Sequence, residues 1–332
     1  MLEIRDLTIQ YEGQPPVLEH FNLSMKKGEI ISIAGESGSG KTTVIRAILG
    51  ALAGGGKITE GEILFLGESL TEKSPKEWRT LRGTKISMIF QDCGGTLNPI
   101  RKIGSQYVEY ICTHSRASKQ EAWNRAVQML KKMHLPDGEA VMKSYPHQLS
   151  GGMRQRVMIA IAFACDPKLL ICDEPTTALD VTIQSQILDI IKELQKTHDT
   201  SVIMITHDLG VVANIAQEIA VMYSGVIVEK GNSRDIFYHP KHPYTWALIE
   251  SVPRLDLTNK QELASIPGMP PDLLNPPVGC PFSTRCKYCM QICKEKMPER
   301  TEFGNGHVAS CWLHHPMAPK VERLEKEGGS QA

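Results

Sequence analysis

Leu2, Ile4, Leu7 and Ile9 alternate with polar neighbours and predict a strand over residues 2–11. A second strand is expected at about 17–25. The third, EIISIA at 29–34, is apolar at most positions and therefore reads as buried on both faces. A Gly-rich stretch follows, and then Val44, Ile45, Ile48 and Leu49 fall on one face of a helix. Further strands are predicted at 61–66 and 85–90. From about residue 99 to 163 the period becomes helical, with Ala122, Ala126, Leu130 and Met133 in register. Strand signals return at 168–172 and 201–206, on either side of a helix at 182–196. This order predicts an α/β nucleotide-binding core that carries a helical insertion. Past residue 253 the pattern is lost: seven prolines lie between Pro253 and Pro281, which implies a linker or an irregular wrap. The polar stretch after Pro316 is expected to end in disorder. No internal repeat is present in the sequence.

Composition narrows the class. The 332 residues are 41% hydrophobic, and 37 Lys and Arg balance 37 Asp and Glu. There is enough apolar matter for a core, and no net basic field or basic run that would favour nucleic acid. The longest apolar run, Val157–Cys165, is about half the length a membrane-spanning helix needs. The first residues, mixed in charge and alternating, read as neither signal peptide nor anchor. Any membrane role is thus expected to be peripheral. Of nine cysteines, Cys93, Cys112, Cys165 and Cys172 are scattered, while Cys280, Cys286, Cys289, Cys293 and Cys311 crowd the end of the chain. Without a secretory signal, such crowding points to metal rather than disulfides.

The strand–loop–helix at residues 29–49 contains Gly35-Glu36-Ser37-Gly38-Ser39-Gly40-Lys41-Thr42-Thr43, which fits G-x-x-x-x-G-K-[ST]. Its glycines let backbone N–H groups converge on a phosphate at a helix start, Lys41 reaches the β- and γ-phosphates, and the Thr42 hydroxyl suits Mg²⁺. A second apolar strand ends in Asp173 and Glu174, placing one carboxylate for Mg²⁺ through water and one to polarise an attacking water. A third element, Leu149-Ser150-Gly151-Gly152-Met153-Arg154-Gln155, is another anion-facing helix start, without a lysine. If each chain grips ATP with the first element and offers the third to a neighbour, a dimer closes over two nucleotides.

With these elements in this order, residues 1–255 resemble the ATP-binding subunit of an ABC transporter. The first loop is similar to Walker A, Leu169–Glu174 to Walker B, and LSGGMRQ to the ABC signature. The resemblance implies an antiparallel β subdomain, a helical subdomain at about 92–165, and further site residues. Gln91 matches the Q-loop glutamine that ligates Mg²⁺ and water. Ala178-Leu179-Asp180 matches the D-loop, His207 the histidine that contacts the γ-phosphate, and Tyr11 the aromatic that stacks on adenine. Glu174, His207 and Gln91 are then the catalytic set. Tyr11, Gly35, Ser37 to Thr43, Ser150, Gly151, Gly152 and Asp180 form the nucleotide site, and Thr42, Gln91 and Asp173 the Mg²⁺ site.

HPKHPYTWALIESVPRLD at 239–256, SIPGMPPDLLNPPVGCPFSTRC at 265–286 and FQDCGGTLNPIRKIG at 90–104 resemble the peptide/nickel importer branch, the oligopeptide and dipeptide permease kind. Cys93-Gly94-Gly95 departs from the branch pattern in the loop that faces the permease. The spacing C-x5-C-x2-C-x3-C-x17-C offers enough thiolates for four-fold ligation, and spacing alone leaves zinc, iron–sulfur and free thiols open. The branch implies a [4Fe–4S] cluster on Cys280, Cys286, Cys293 and Cys311 in a small irregular C-terminal region (256–332), with Cys289 extra. His307, His314 and His315 read as surface residues, or as a replacement for one thiolate. The implied function is ATP hydrolysis that powers uptake of peptides, nickel or metal chelates. Its implied partners are a second, different ATPase subunit, two transmembrane permease subunits and, indirectly, an extracellular solute-binding protein. The expected location is the cytoplasmic side of the cell membrane. The alternatives are a Cys-rich iron or redox sensor, a soluble non-transport ABC protein, and an exporter.

Overall fold

The computed structural model describes residues 1–135, 137–177, 179–251, 266–272 and 275–321. The expected disorder at the chain end, and much of the Pro-rich stretch, lie outside the described residues. The chain divides into two compact units, one of Met1–Met25, Ile31–Thr71 and Thr206–Ala332, the other of Lys26–Ile30 and Glu72–Ile205.

The first unit begins with β1 (Leu2–Gln10) and β2 (Pro16–Met25), an antiparallel pair that puts Leu2 opposite Met25. β3 (Ile30–Ala34) is buried at every position, and α1 (Lys41–Ile48) follows the Gly-rich loop. β4 (Lys57–Phe65) pairs with the other edge of β1, and β5 (Glu68–Ser69) with β4. The alternation of β1 breaks at Asp6, whose φ is +50°, and the register shifts there on both sides. Opposite this bulge stands Gly61, where a Cβ would come within 2.3 Å of the Asp6 carbonyl oxygen. A bulge with a Gly partner lets Ile4 and Leu7 both face the interior although they stand an odd number of positions, three, apart.

The second unit contains α2 (Pro75–Leu81), β6 (Ile86–Ile89), α3 (Cys93–Thr96), α4 (Ile103–His114), α5 (Lys119–Lys132), α6 (Gly138–Lys143) and α7 (Gly151–Phe163). It ends with β7 (Leu169–Asp173), α8 (Val181–His198) and β8 (Ser201–Thr206). β6, β7 and β8 run parallel, in the order β6-β7-β8, and β7 has its apolar residues buried on both faces. α5 forms where the spacing predicts. Ser118 and Glu121 make a reciprocal capping box, and Ala122, Ala126 and Leu130 are buried along one stripe. Leu130 alone contributes about 1.5–3 kcal/mol of burial.

The chain then returns to the first unit with α9 (Leu209–Ile215), β9 (Glu218–Tyr223) and β10 (Val226–Asn232), followed by α10 (Ser233–Tyr238) and α11 (Pro243–Glu250). β9 lies parallel to β3, and the turn Ser224–Gly225, both at positive φ, folds β10 back on β9. The C-terminal region is less irregular than its composition implies. It holds α12 (Gln291–Glu295) and the antiparallel pair β11 (Arg300–Glu302) and β12 (Val308–Ser310). β12 pairs with β10, so the strand order in this unit is β11-β12-β10-β9-β3. His307, expected at the surface, is buried: it pairs at 2.8 Å with the Glu229 carboxylate of β10, which also accepts the backbone N–H groups of Lys241 and His242. A polar ring reads as exposed until a buried carboxylate is brought to it. His314 is likewise partly buried, with Nε2 at 2.8 Å from the Lys241 carbonyl.

Candidate functional site

β3 delivers the phosphate loop. Gly35 follows the strand so closely that a Cβ there would stand 2.2 Å from the Met222 carbonyl of β9, and Gly38 and Gly40 adopt φ of +78° and +97°. Only glycine takes this path without strain, and the path turns the loop's backbone toward its own centre. Lys41 is buried and donates to the carbonyls of Gly35 (2.8 Å) and Glu36 (2.7 Å) and to Ser39 Oγ. Its ammonium is therefore held inside the loop, where a phosphate would meet it. Thr42 is exposed and Thr43 half-buried at the first turn of α1. Tyr11 packs its ring against Gly56, where a Cβ would come within 2.8 Å of it. His207 is exposed just after β8, ahead of Asp208, which caps α9 through the Gly210 and Val211 N–H groups.

The second unit brings together the acidic residues. Asp173 ends β7 and Glu174 follows at φ +47°, a left-handed conformation that costs a non-glycine residue about 1 kcal/mol or more. Glu174 is fixed there by its own N–H, which donates to the Ile205 carbonyl of β8 at 2.8 Å. Gln91 Nε2 and Thr177 Oγ1 each donate to Glu174 Oε2 at 3.0 Å. The structure thus joins two predicted residues and adds one the sequence reading missed. Thr177 stands three positions past Glu174, a spacing at which a hydroxyl can reach back, and that was the available signal.

Ser150 caps α7 by accepting the Met153 N–H, which leaves the helix start open at Gly151 and Gly152. Asp180 caps α8 in the same way through Ile183. A Cβ on Gly152 would lie 3.0 Å from Ile183, so the small residue lets these two helix starts approach. Ala178 lies outside the described residues. Gln155, buried in α7, donates to the Pro175 carbonyl and ties the signature helix to the segment after Glu174.

The C-terminal cysteines lie near one another. Burial pushes the thiols of Cys280 and Cys311 up to about 12 and that of Cys286 up to about 11. Neighbouring thiols add to the shift in each case: Cys311 senses Cys280, Cys286 and Cys293. Cys280 donates its N–H to the Cys293 carbonyl at 2.7 Å, and Gly279 lies against the same carbonyl. Among the described residues, however, no group of three or more His, Cys, Asp or Glu side chains is arranged to hold a metal ion.

Comparison with known proteins gives these features a context. The ABC transporter family pattern matches residues 18–177, and that of the oligopeptide/dipeptide transporter C-terminal region matches residues 228–293. The pattern of an AAA domain, described as a putative AbiEii toxin of a type IV toxin–antitoxin system, overlaps at residues 143–213. The chain is 50% identical to the oligopeptide transport ATP-binding protein OppD of Bacillus subtilis, over 98% of this chain and 92% of that protein. It is 46% identical to the dipeptide transport ATP-binding protein DppD of Lactococcus lactis, over 97% and 93% of the two chains. Among solved structures, the dimeric bacterial ABC transporter cassette MJ0796 superposes with a TM-score of 0.62 at 30% identity, covering 70% of this chain and 99% of that one.

Proposed function

This chain belongs to the ATP-binding proteins of ABC transporters, in the oligopeptide and dipeptide class, and from that membership we propose that it hydrolyses ATP to power peptide import through separate membrane-spanning subunits. The observation that carries this reading is the phosphate loop, with its positive-φ glycines and Lys41 turned into its centre. The relatives' whole-length similarity does not favour a soluble non-transport protein or a sensor.

In this reading the loop's N–H groups and Lys41 hold the β- and γ-phosphates, and Tyr11 stacks on adenine. Mg²⁺, held by Thr42, Gln91 and through water by Asp173, would neutralise charge between the phosphates. Gln91 and Thr177 fix the plane of the Glu174 carboxylate, which orients a water in line with the γ-phosphorus and takes up its proton. His207 contacts the γ-phosphate as charge builds on it. Ser150, Gly151, Gly152 and Asp180 close over the nucleotide of a second ATPase subunit, a different chain in our reading. Among the described residues no helix is long and apolar enough to cross a membrane. From the family, the reading places the chain on the cytoplasmic face, docked on two permease subunits that an extracellular solute-binding protein supplies. The test is ATP-dependent peptide uptake in vesicles bearing the co-purified partners. Absence of ATP-driven uptake there would count against it.

For the C-terminal region we propose Cys280, Cys286, Cys293 and Cys311 as ligands of a [4Fe–4S] cluster, with Cys289 outside the set. Cys280 and Cys293 lie buried in one apolar cluster, Cys286 packs against it, and the Cys311 thiol is near enough to sense all three, which supports it. The cluster would supply a structural staple to a segment with little core of its own.

A further inference from the structure

Glu36 puts a carboxylate inside a loop built for anions, and the structure shows what balances it. Arg285, from the C-terminal region, makes a two-pronged ion pair with Glu36: Nη1 donates to Oε2 at 2.6 Å and Nη2 to Oε1 at 3.1 Å. Its other three N–H donors go to the Tyr223 hydroxyl (3.2 Å) and to the carbonyls of Pro267 (3.0 Å) and Ile266 (3.1 Å). All five guanidinium donors are thereby used, and the side chain is only 3% exposed. The rest of Glu36 is held as firmly. Its N–H donates to the Tyr244 hydroxyl of α11 at 2.9 Å, and its carbonyl accepts Lys41. Pro270 and Pro271 wall a narrow crevice along Glu36–Ser39. A single acidic residue of the loop is thus fixed by three elements, two of them C-terminal to residue 240.

We propose that Arg285 is a positioning residue of the nucleotide site, and that the folded C-terminal region supplies the counter-charge without which Glu36 would repel the triphosphate. The inference rests on the reading of residues 35–42 as the phosphate loop, and assigns that site a regulatory dependence on the segment around Cys280, Cys286 and Cys293. Arg285 immediately precedes Cys286. Whatever loosens the cysteine-bearing fold therefore releases the guanidinium and leaves a carboxylate unpaired beside the phosphates. A carboxylate left unpaired beside the phosphates repels them whereas a guanidinium left unpaired does not, and this asymmetry separates charge balance from a merely structural role.

The experiment is binding of a fluorescent ATP analogue to the full chain, with the KM for ATP and kcat measured alongside. Arg285→Met is expected to weaken nucleotide binding by about tenfold or more, raising KM with kcat held within about twofold. Glu36→Gln, which keeps the guanidinium, should bind at least as tightly as the parent to within about threefold, and the double variant should recover to the same range. An Arg285→Met chain that binds like the parent overturns the inference. So does a double variant as weak as Arg285→Met, since Arg285 would then be acting on the fold alone. If Arg285→Met does not fold, the double variant and Arg285→Lys, expected to fall between parent and Met, decide the matter. A parent chain that binds no nucleotide overturns the phosphate-loop reading itself, and the inference with it.

Discussion

Gln91 Nε2 donates to Glu174 Oε2 across 3.0 Å, although 83 positions separate the two residues in the chain. One residue follows β6 and the other follows β7, and because these strands are parallel neighbours their C-terminal ends present both side chains together.

If Glu174 is the base and Gln91 its positioner, their variants should differ in kind. Glu174→Gln should lower kcat by about 10²–10⁴-fold while nucleotide binding persists. Gln91→Ala should lower kcat by roughly 10- to 100-fold, because the base remains but its plane is no longer fixed. Single-turnover hydrolysis with equilibrium binding in parallel checks both; parent-like turnover in Glu174→Gln would remove the assignment.

The Glu229–His307 pair anchors β12 from within. His307→Ala should destabilise the chain by about 1.5–3 kcal/mol, the worth of a hydrogen bond to a charged group. The urea midpoint at fixed pH measures this. A cost no larger than that of an exposed substitution would show that the pair contributes nothing.

Burial lowers His242 to about 3, with the nearby His314 adding to the effect. Below the ordinary histidine range the unfolded chain binds a proton that the folded chain refuses. Stability from this group is thus full above about pH 6.5 and drains away as pH falls toward 3. Burial depresses His114 and His314 in the same direction. His242 also caps α11 by accepting the Tyr244 N–H at 3.1 Å, so His242→Asn keeps the cap and loses the titration. Its urea midpoint should fall less steeply between pH 6.5 and 4.5 than the parent's, and superimposable profiles would refute the assignment.

Anaerobically purified chain should carry about four iron atoms and the visible absorption of a cluster. Serine at Cys280, Cys286, Cys293 or Cys311 should abolish both signals, and serine at Cys289 should leave them. Elemental analysis that finds zinc in stoichiometric amount and no iron decides against the cluster.

What was legible in the sequence follows from how local its cause is. β1, β7, β8 and the stripe of α5 are set by apolar period and by caps a few residues away, so pattern alone locates them within a residue or so at most ends. β9 and β10 were within reach as well, since EIAVMY before Ser224-Gly225 is an apolar strand with a turn signal. β11 and β12 were not: three residues each, with Arg300 and Glu302 at the ends of one, carry no period. In the site, the glycines and Lys41 declare themselves because the loop is contiguous. Arg285 does not, because its partner Glu36 lies 249 positions away and the desolvation that makes the pair matter exists only in the fold.

The pairing of β12 with β10 bears on how the molecule avoids its own kind. Without the final segment β10 would be an open edge, a row of unpaired amides ready to template another chain. With it, the outermost strand is β11, too short to recruit a partner well and fringed by Arg300 and Glu302, both exposed. Trimming the chain ahead of residue 300 should therefore add self-association to any loss of nucleotide binding, which makes the solubility of shortened chains a report on whether the last strands are docked.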